Sequence, residues 1–298
     1  MAVADIEKLD SILAANIEKV NGLTIPAAGP VSPPLDTYTG AEAAYSLRLL
    51  RTAYTGFAIE VRRDSDNTTQ DIGFDGNGDL NTVALATFVG SGNNGYVRTL
   101  YDQSGSGNNA QNTADAQQPL IYNGTTVVTV GGKPAMQFDG TDDRFQLDVT
   151  ATGLNLDVAN TSSFHVAQYD NATNDRSMSL SLGGTSGRWY PGYMDNGLFR
   201  YGYGTQSSVS TETGDTNQNL FSMIAGSTLG QAQAWRNGVS KMTATLATSA
   251  TMGDTVGIGL FRTNYYLDGT VQEVIIYASD QSANRIGMES NLSTYYGL

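Results

Sequence analysis

The feature that most constrains this fold is a series of short segments in which apolar and polar residues alternate. Alternation with a period of two is typical of β-strands that bury one face. Dipeptides that favour tight turns separate the segments, among them Asn123-Gly124, Asn237-Gly238 and Asp268-Gly269. The pattern predicts a large antiparallel β-sandwich, because two sheets bury alternate residues between them and leave the other faces in water. The predicted strands are Thr126–Val130, Ala135–Phe138, Phe164–Ala167, Met178–Leu182, Leu198–Tyr203, Phe221–Ala225, Ala232–Arg236, Val256–Leu260 and Val271–Tyr277.

The composition agrees with a turn-rich β fold and excludes several functions. Charged residues make up 15% of the chain, against roughly 25% in ordinary domains. Glycine accounts for 34 of the 298 residues, about 11%, against roughly 7% in ordinary domains. The formal net charge of −13 argues against nucleic acid as a partner, which needs clustered cations. The chain has no cysteine and one histidine, which excludes disulfide scaffolds, thiol nucleophiles and structural zinc. Hard cations with oxygen ligands, such as Ca²⁺, stay allowed as cofactors.

The sequence gives no sign of membrane insertion. No stretch approaches the roughly 20 apolar residues that a spanning helix needs. Asp5, Glu7 and Lys8 stand where a secretion signal has a basic head and an apolar core. We therefore expect a protein that is neither membrane-bound nor exported by that route.

A short repeat marks the first segment of the chain. Asp5–Asp10 aligns like on like with Asn16–Asn21, and neither copy has enough apolar surface to fold alone. The repeat predicts either a weakly helical tail or an arm that orders against other subunits. The docking residues of such an arm would be Ile6, Leu9, Ile17 and Val20.

A proline-rich segment follows the arm. It contains four of the seven prolines, at positions 26, 30, 33 and 34, and favours an extended spacer. We predict an arm over residues 1–28, a linker over 29–38 and a sandwich domain over 39–298.

Two short helices are predicted within the sandwich domain. The first covers Ala41–Arg51, with Ala44, Leu47 and Leu50 at helical spacing and Thr39 near its start. The second begins near Ser282 and packs one face against the sandwich edge before Gly297. That face carries Met288, Leu292, Tyr295 and Tyr296.

Two acidic segments are candidates for metal binding or for turns. Asp75, Asn77 and Asp79 place oxygens at alternate positions, as a calcium loop does, but its twelfth position is Ala86 rather than a bidentate Glu. An Asx-turn run is the other interpretation of this weak calcium candidate. The second segment, with Asp139, Asp142 and Asp143, is likewise interpreted as turn capping.

Aromatic residues point to sugar recognition. Sugar rings stack their C–H faces on aromatic rings, while amide and carboxylate groups bind the hydroxyls. A sandwich core would need many of the same rings. The glycan-binding candidates are Trp189, Tyr190, Tyr193, Asp195, Asn196, Tyr201, Tyr203, Tyr265 and Tyr266, and Phe199 belongs to the same aromatic group.

Three segments resemble the catalytic domain of fungal and bacterial α-L-arabinofuranosidase B. They are Tyr45–Arg51, Ile59–Asn67 and Tyr101–Asn109, the last with the specific run Tyr-Asp-Gln-Ser-Gly-x-Gly-Asn. The C-terminal half, with Asp268–Tyr277 and the closing helix, is similar to laminin-G-like and concanavalin A-like modules. The resemblance covers roughly residues 40 to 298. It implies an all-β, concanavalin A-like jelly-roll sandwich.

The resemblance does not extend to a full catalytic pair. The family is a retaining glycosidase, which uses two carboxyl groups about 5–5.5 Å apart. Its nucleophilic Glu lies in a stretch similar to Met194–Phe199, where this chain offers Asp195. Its acid follows a stretch like Gly257–Gly259, where this chain has Leu260 and Phe261. Loss of the acid costs on the order of 10²- to 10⁴-fold in rate, so we expect no catalytic residue.

The arm suggests where the protein works. Ile17–Pro26 resembles short segments that open many structural proteins of tailed bacteriophages. We therefore predict a virion decoration, fibre or tail-appendage protein, assembled in the host cytoplasm and exposed after lysis. Its partners would be other virion proteins through the arm, cell-surface glycans through the sandwich, and further copies of itself, in a trimer by analogy with other appendages.

Two alternatives stay open. One is a glycan-cleaving depolymerase that uses Asp195, with Asp268 or His165 as proton donor. His165 as a lone strand histidine is otherwise a hydrogen-bonded structural residue. The other alternative is a decoration protein without a ligand.

Overall fold

The computed structural model describes residues 19–20, 23–24, 31–147, 150–151, 153–172, 177–183, 187–204, 206–246, 252, 256–261 and 265–298. The chain divides into two compact units, Met1–Val31 and Ser32–Leu298. In the first unit β1 (Lys19–Val20) pairs antiparallel with β2 (Leu23–Thr24). Val20 of the predicted docking set lies in β1, whereas Ile6, Leu9 and Ile17 lie outside the described residues. The predicted arm and linker boundaries stay predictions.

The second unit is built almost entirely of strands, as the alternating segments predict. Its described α-helices are α1 (Thr82–Val89) and α2 (Arg285–Tyr296), and short 3₁₀ turns cover Pro34–Asp36 and Asp115–Gln117. Its strands are β3 (Ala43–Ser46), β4 (Ile59–Arg63), β5 (Thr69–Ile72), β6 (Asn94–Leu100), β7 (Ala110–Gln111), β8 (Leu120–Asn123), β9 (Thr129–Val130), β10 (Lys133–Pro134), β11 (Met136–Asp139), β12 (Phe145–Leu147), β13 (Thr161–Tyr169), β14 (Ser177–Met178), β15 (Leu180–Leu182), β16 (Arg188–Asp195), β17 (Leu198–Gly204), β18 (Gln206–Thr213), β19 (Gln218–Gly226), β20 (Gln231–Arg236), β21 (Val239–Thr245), β22 (Val256–Ile258), β23 (Leu260–Phe261), β24 (Tyr265–Tyr266) and β25 (Asp268–Tyr277).

Most of these strands form one curled antiparallel sheet, in the order β15-β22-β12-β7-β6-β8-β11-β25-β13-β19-β20-β21. β3 pairs with β25, β4 with β6 and β5 with β4, while a second sheet has the order β14-β16-β17-β18. β15 lies beside β16, so one end of the curled sheet continues into the second sheet. We call β12, β22, β15, β14, β16, β17 and β18 the second layer, and the strands from β5 through β25 to β21 the first layer.

The core between the two layers is rich in aromatic rings. Phe199 of the second layer packs its ring 5.7 Å from that of Tyr169 and 5.6 Å from that of Phe221, centroid to centroid. Phe138 and Phe145 meet edge to face at 6.2 Å at the β11–β12 side. These contacts across the layers make the molecule a β-sandwich, which confirms the predicted fold class.

The predicted helix over Ala41–Arg51 is wrong. The chain instead forms β3, which pairs with β25. Tyr45 and Leu47 enter the core between the layers, whereas Ala44 and Leu50 enter a second core beneath α2. A strand buried on both faces does not alternate between apolar and polar residues. Its apolar residues can therefore fall three positions apart, as they do in a helix.

The predicted C-terminal helix is confirmed. α2 ends at Gly297, whose φ of 73° is left-handed and terminates the helix. Met288, Leu292 and Tyr296 bury one face against the outer side of the first layer, and Tyr295 is half-buried beside them. Among the described residues, the structure has no helix of sufficient length and apolarity to span a membrane.

Candidate functional site

The Tyr101–Asn109 motif builds a loop rather than a binding site. The Asp102 carboxylate accepts hydrogen bonds from the backbone amides of Ala44, Ser104 and Asn108, at 2.9–3.0 Å. Gln103 is fully buried and accepts a 2.8 Å bond from the amide of Leu50. These buried bonds fix the loop to β3, so the motif residues serve the fold.

The predicted calcium loop is a turn. One Asp75 oxygen accepts hydrogen bonds from the amides of Asn77 (2.8 Å) and Asp79 (3.0 Å). The Asp79 carboxylate pairs with Lys133 at 3.3 Å and accepts a hydrogen bond from Tyr295. Since its oxygens tie the loop to β10 and α2, the structure favours the Asx-turn interpretation.

The second acidic segment also caps a turn, and its carboxyl groups converge. One Asp139 oxygen accepts bonds from the amides of Thr141 and Asp142, at 2.8 and 3.2 Å. Single oxygens of Asp139, Asp142 and Asp143 lie within 4.8 Å of one another. Burial, reinforced by the negative charge of Asp139, raises the pKa of Asp143 to about 7. Like charges at this spacing favour a shared proton.

Four of the predicted sugar-binding rings have no free face. Trp189 and Tyr201 are fully buried, and Tyr190 and Tyr203 are each 3% exposed. The Trp189 indole donates to Ser163 Oγ at 2.9 Å, and the Tyr203 hydroxyl donates to a backbone carbonyl at 2.7 Å. A covered ring cannot stack on a sugar, so the prediction is wrong for these four residues. Trp189, Tyr201 and Tyr203 fill the core between the layers, whereas the ring of Tyr190 is covered beside Tyr193.

Three other predicted residues, Tyr193, Asp195 and Asn196, lie near Arg200 on the face of the second layer that points away from the core, which we call the outer face. Met194 and Phe199 point into the core, so Tyr193, Asp195 and Arg200 project from the opposite side of their strands. Tyr193 faces Arg200 in register. Arg200 Nε lies 2.8 Å from Asp195 Oδ2, and the Asp195 side chain is 11% exposed. We call Tyr193, Asp195, Asn196 and Arg200 the outer-face site.

A bulge and a tight turn place these side chains. The register of β16 against β17 shifts between Tyr190 and Tyr193, which re-aims Tyr193 onto the outer face. The Tyr190 ring supports it edge to face at 6.1 Å. Asn196 and Gly197 form the two-residue turn, with φ of 51° and 76°, as expected for an Asn-Gly hairpin. Asn196 Nδ2 donates to Asp195 Oδ1 at 3.3 Å.

Arg200 is the site residue that the sequence analysis missed. The signal was available, because Arg200 lies five residues after Asp195 across an Asn-Gly turn. A two-residue hairpin brings such residues to neighbouring positions on one face.

The remaining predicted residues lie on or beside a second hairpin. Tyr265 and Tyr266 are half-buried in β24, which pairs with β23. Leu260, which we expect in place of the family's acid, is 4% exposed, and its carbonyl accepts a 2.7 Å bond from the Ser181 hydroxyl. That the acid is lost at this position stays a prediction.

The two alternative proton donors differ in their surroundings. His165 is fully buried, stacks on Phe221 at 5.0 Å and contacts Ser179 Oγ at 2.8 Å. Burial lowers the pKa of His165 to about 3, so this neutral core residue is not a proton donor. The depolymerase alternative with Asp268 as donor stays open. Asp268 is half-buried at the start of β25, where its amide donates to Ser177 Oγ at 3.0 Å.

Comparisons with known proteins agree with this architecture. The family profile described as "Alpha-L-arabinofuranosidase B, catalytic" matches residues 34–141. The chain adopts the arabinofuranosidase β-sandwich fold. It is similar to an arabinofuranosidase in complex with arabinofuranosyl-α-1,2-xylobiose and to a GH54 α-L-arabinofuranosidase soaked with a cyclic sulfate inhibitor. Each comparison gives a TM-score of 0.62 at 15% identity over 90% of this chain.

The extent of the match limits what it says about activity. This chain spans 65% of each of those structures, less than two thirds of their length. No curated protein matches its sequence. The matched residues 34–141 contain the Asp102 loop but not Asp195. The comparisons thus establish the β-sandwich fold.

Proposed function

We propose that this protein binds a glycan at the outer-face site. The observation that carries the proposal is the Asp195–Arg200 ion pair, 2.8 Å long, beside the half-buried ring of Tyr193. A carboxylate and a guanidinium together offer acceptors and donors to vicinal hydroxyl groups. The tyrosine ring offers a face for the C–H groups of the sugar.

The site is also rigid enough to recognise a ligand. Asp195 and Arg200 lie on paired strands, and the Asn196-Gly197 turn fixes their register. Ordering a side chain on binding costs about 0.5–1.5 kcal/mol. Because the ion pair already restrains the side chains of Asp195 and Arg200 in the free protein, binding orders them at a lower cost in free energy. The fold of the similar arabinofuranosidases supports a sugar as the ligand.

Binding is tested by titrating oligosaccharides into the protein in a calorimeter. We expect Asp195→Ala and Tyr193→Ala each to weaken binding about tenfold, since each removes one good polar or aromatic contact. Asp64→Ala is the control, because Asp64 is exposed on the first layer. Unchanged affinity in both site variants would refute the proposal.

Hydrolysis is the second candidate, favoured by the position of Asp195 in a stretch similar to that of the family's nucleophile. A retaining reaction also needs a proton donor, and Leu260 occupies the corresponding position. We expect cleavage on the order of 10²- to 10⁴-fold below that of a complete glycosidase. Release of reducing sugar that Asp195→Asn abolishes would establish this activity, and a rate equal in both proteins would exclude Asp195 as its nucleophile.

We further propose that residues 1–28 dock the protein on a virus particle. The resemblance of Ile17–Pro26 to the opening segments of phage structural proteins supports this role. Display in many copies would let a weak glycan site act through avidity, and a trimer is the assembly that we propose for it.

A further inference from the structure

A cleft opens beside β12, at a distance from the outer-face site on β16 and β17. It has a volume of about 380 Å³, within the range of small-ligand sites. Its described lining is mostly polar and includes the cation Arg144; the lining residues are Gln111, Asn112, Thr113, Arg144, Gln146 and Leu147.

Strand register places this cleft on the same face as the outer-face site. Phe145 pairs with Ile258, and Ile258 with Leu180, and all three point into the core. Their neighbour Gln146 therefore projects outward. β12 and β16 are separated by β22 and β15, which gives a distance of about 14 Å at about 4.8 Å per strand spacing. A glycan that reaches both the cleft and the outer-face site must therefore contain several sugar units.

The hairpin β23–β24 lies between β15 and the cleft. Ser181, in register with Gly257 on the outer side of β15, donates its hydroxyl to the carbonyl of Leu260 in β23. In β24, the ring of Tyr266 lies 5.9 Å from the guanidinium carbon of Arg144. The hairpin thus carries an aromatic residue to the edge of the cleft.

The charge of the described lining indicates which ligand the cleft suits. The chain has 29 acidic and 16 basic residues, yet none of the described residues that line this cleft is a carboxylate. A neighbouring cleft of about 530 Å³ on the first layer is lined by four, Asp64, Asp115, Asp139 and Asp143. Arg144 Nη1 donates to the carbonyl of Asp142 at 3.0 Å. Among the described residues the Arg144 guanidinium makes no other hydrogen bond, so donors remain for an anion.

We infer that the Arg144 cleft is a subsite for a carboxylate-bearing sugar, a uronic acid, within a glycan that also occupies the outer-face site. Arg144 binds the carboxylate, Gln146 binds a hydroxyl group, and Tyr266 stacks at the edge. The inference rests on the proposed glycan binding and adds the chemical class of the glycan.

The test compares acidic oligosaccharides with their neutral methyl esters. Oligogalacturonates and glucuronoxylan oligosaccharides are titrated into the full chain, each alongside its esterified partner, at low and at high salt. We expect the acidic member to bind about tenfold more tightly, as one charge-assisted pair provides, and salt to reduce that preference. Arg144→Gln should remove the preference, and Arg144→Lys should retain part of it.

Arg63→Gln is the control, because Arg63 pairs with Asp66 on the exposed β4–β5 hairpin. Equal binding of the acidic and neutral partners, or a preference that survives Arg144→Gln, would overturn the subsite while the Asp195 variants still test glycan binding itself. Failure of every oligosaccharide to bind would overturn both proposals.

Discussion

Arg48 and Glu273 form a two-point ion pair beneath the C-terminal helix, with Nε 2.8 Å from Oε2 and Nη2 2.9 Å from Oε1. The side chains are 2% and 0% exposed. Ser46 and Tyr296 donate hydroxyl groups to the same carboxylate. The pair and its hydroxyl donors therefore join β3, β25 and α2 at one buried carboxylate.

Loss of Glu273 should destabilise the protein strongly. Glu273→Ala leaves the Arg48 guanidinium buried without its counter-ion, which costs about 3–5 kcal/mol. Urea denaturation followed by tryptophan fluorescence measures the change in the free energy of unfolding. Arg48→Met combined with Glu273→Leu should recover much of the loss, because a matched apolar pair leaves no buried charge. A single variant as stable as the parent would show that the pair contributes nothing.

The sandwich was accessible from sequence because short alternating segments between turn dipeptides mark its strands. Ala232–Arg236 correctly located β20, and Phe221–Ala225 located β19 although that strand is buried on both faces. β3 was mistaken for a helix because both its faces are buried. α1 was missed, since Thr82–Val89 carries few polar residues to mark a face.

The candidate site was less accessible than the fold. Composition cannot separate core rings such as Trp189 from surface rings such as Tyr193, because both lie in one strand, β16. The bulge after Tyr190 alters which residues face outward, and the Arg144 cleft depends on register between strands that are distant in sequence.

Asp143 should make the protein less stable as the pH rises. Burial and the charge of Asp139 raise its pKa to about 7 in the folded state, against about 3.9 in an unfolded chain. Its stabilising contribution is therefore full below about pH 4 and is lost as the pH rises through 7. Asp143→Asn should stabilise the protein by about 1–2 kcal/mol at pH 8, after allowance for solvent screening, and by little at pH 4.

Thermal unfolding at both pH values measures this difference. Asp64→Asn is the matched control, since Asp64 lines the same first-layer cleft as Asp143 but is exposed. A stability gain in Asp143→Asn that is equal at pH 4 and pH 8 would contradict the assigned shift.

Removal of residues 1–28 should leave the sandwich intact. The compact unit Ser32–Leu298 contains both cores and α2, so we expect an unchanged melting temperature and unchanged glycan binding. Incorporation of the tagged protein into purified virus particles should fall to background, and light scattering should report a smaller assembly. A truncated protein that enters particles as well as the full chain would refute docking through the arm.

Gly202→Ala should disable the outer-face site without unfolding the protein. A Cβ at position 202 would lie 2.4 Å from Cδ2 of Tyr190, and the backbone there needs no positive φ. The Tyr190 ring must therefore move, and Tyr193 loses its edge-to-face support. We expect about 1–3 kcal/mol of destabilisation from overpacking and about tenfold weaker glycan binding.

A double variant separates the two effects. Tyr190→Ala combined with Gly202→Ala removes the clash, so stability should rise above the sum of the single changes while binding stays weak. Gly76→Ala is the control, because a Cβ there meets no atom within 4 Å. Full glycan affinity in Gly202→Ala would mean that Tyr193 binds sugar without support from Tyr190, and would remove Tyr190 from the site as a positioning residue.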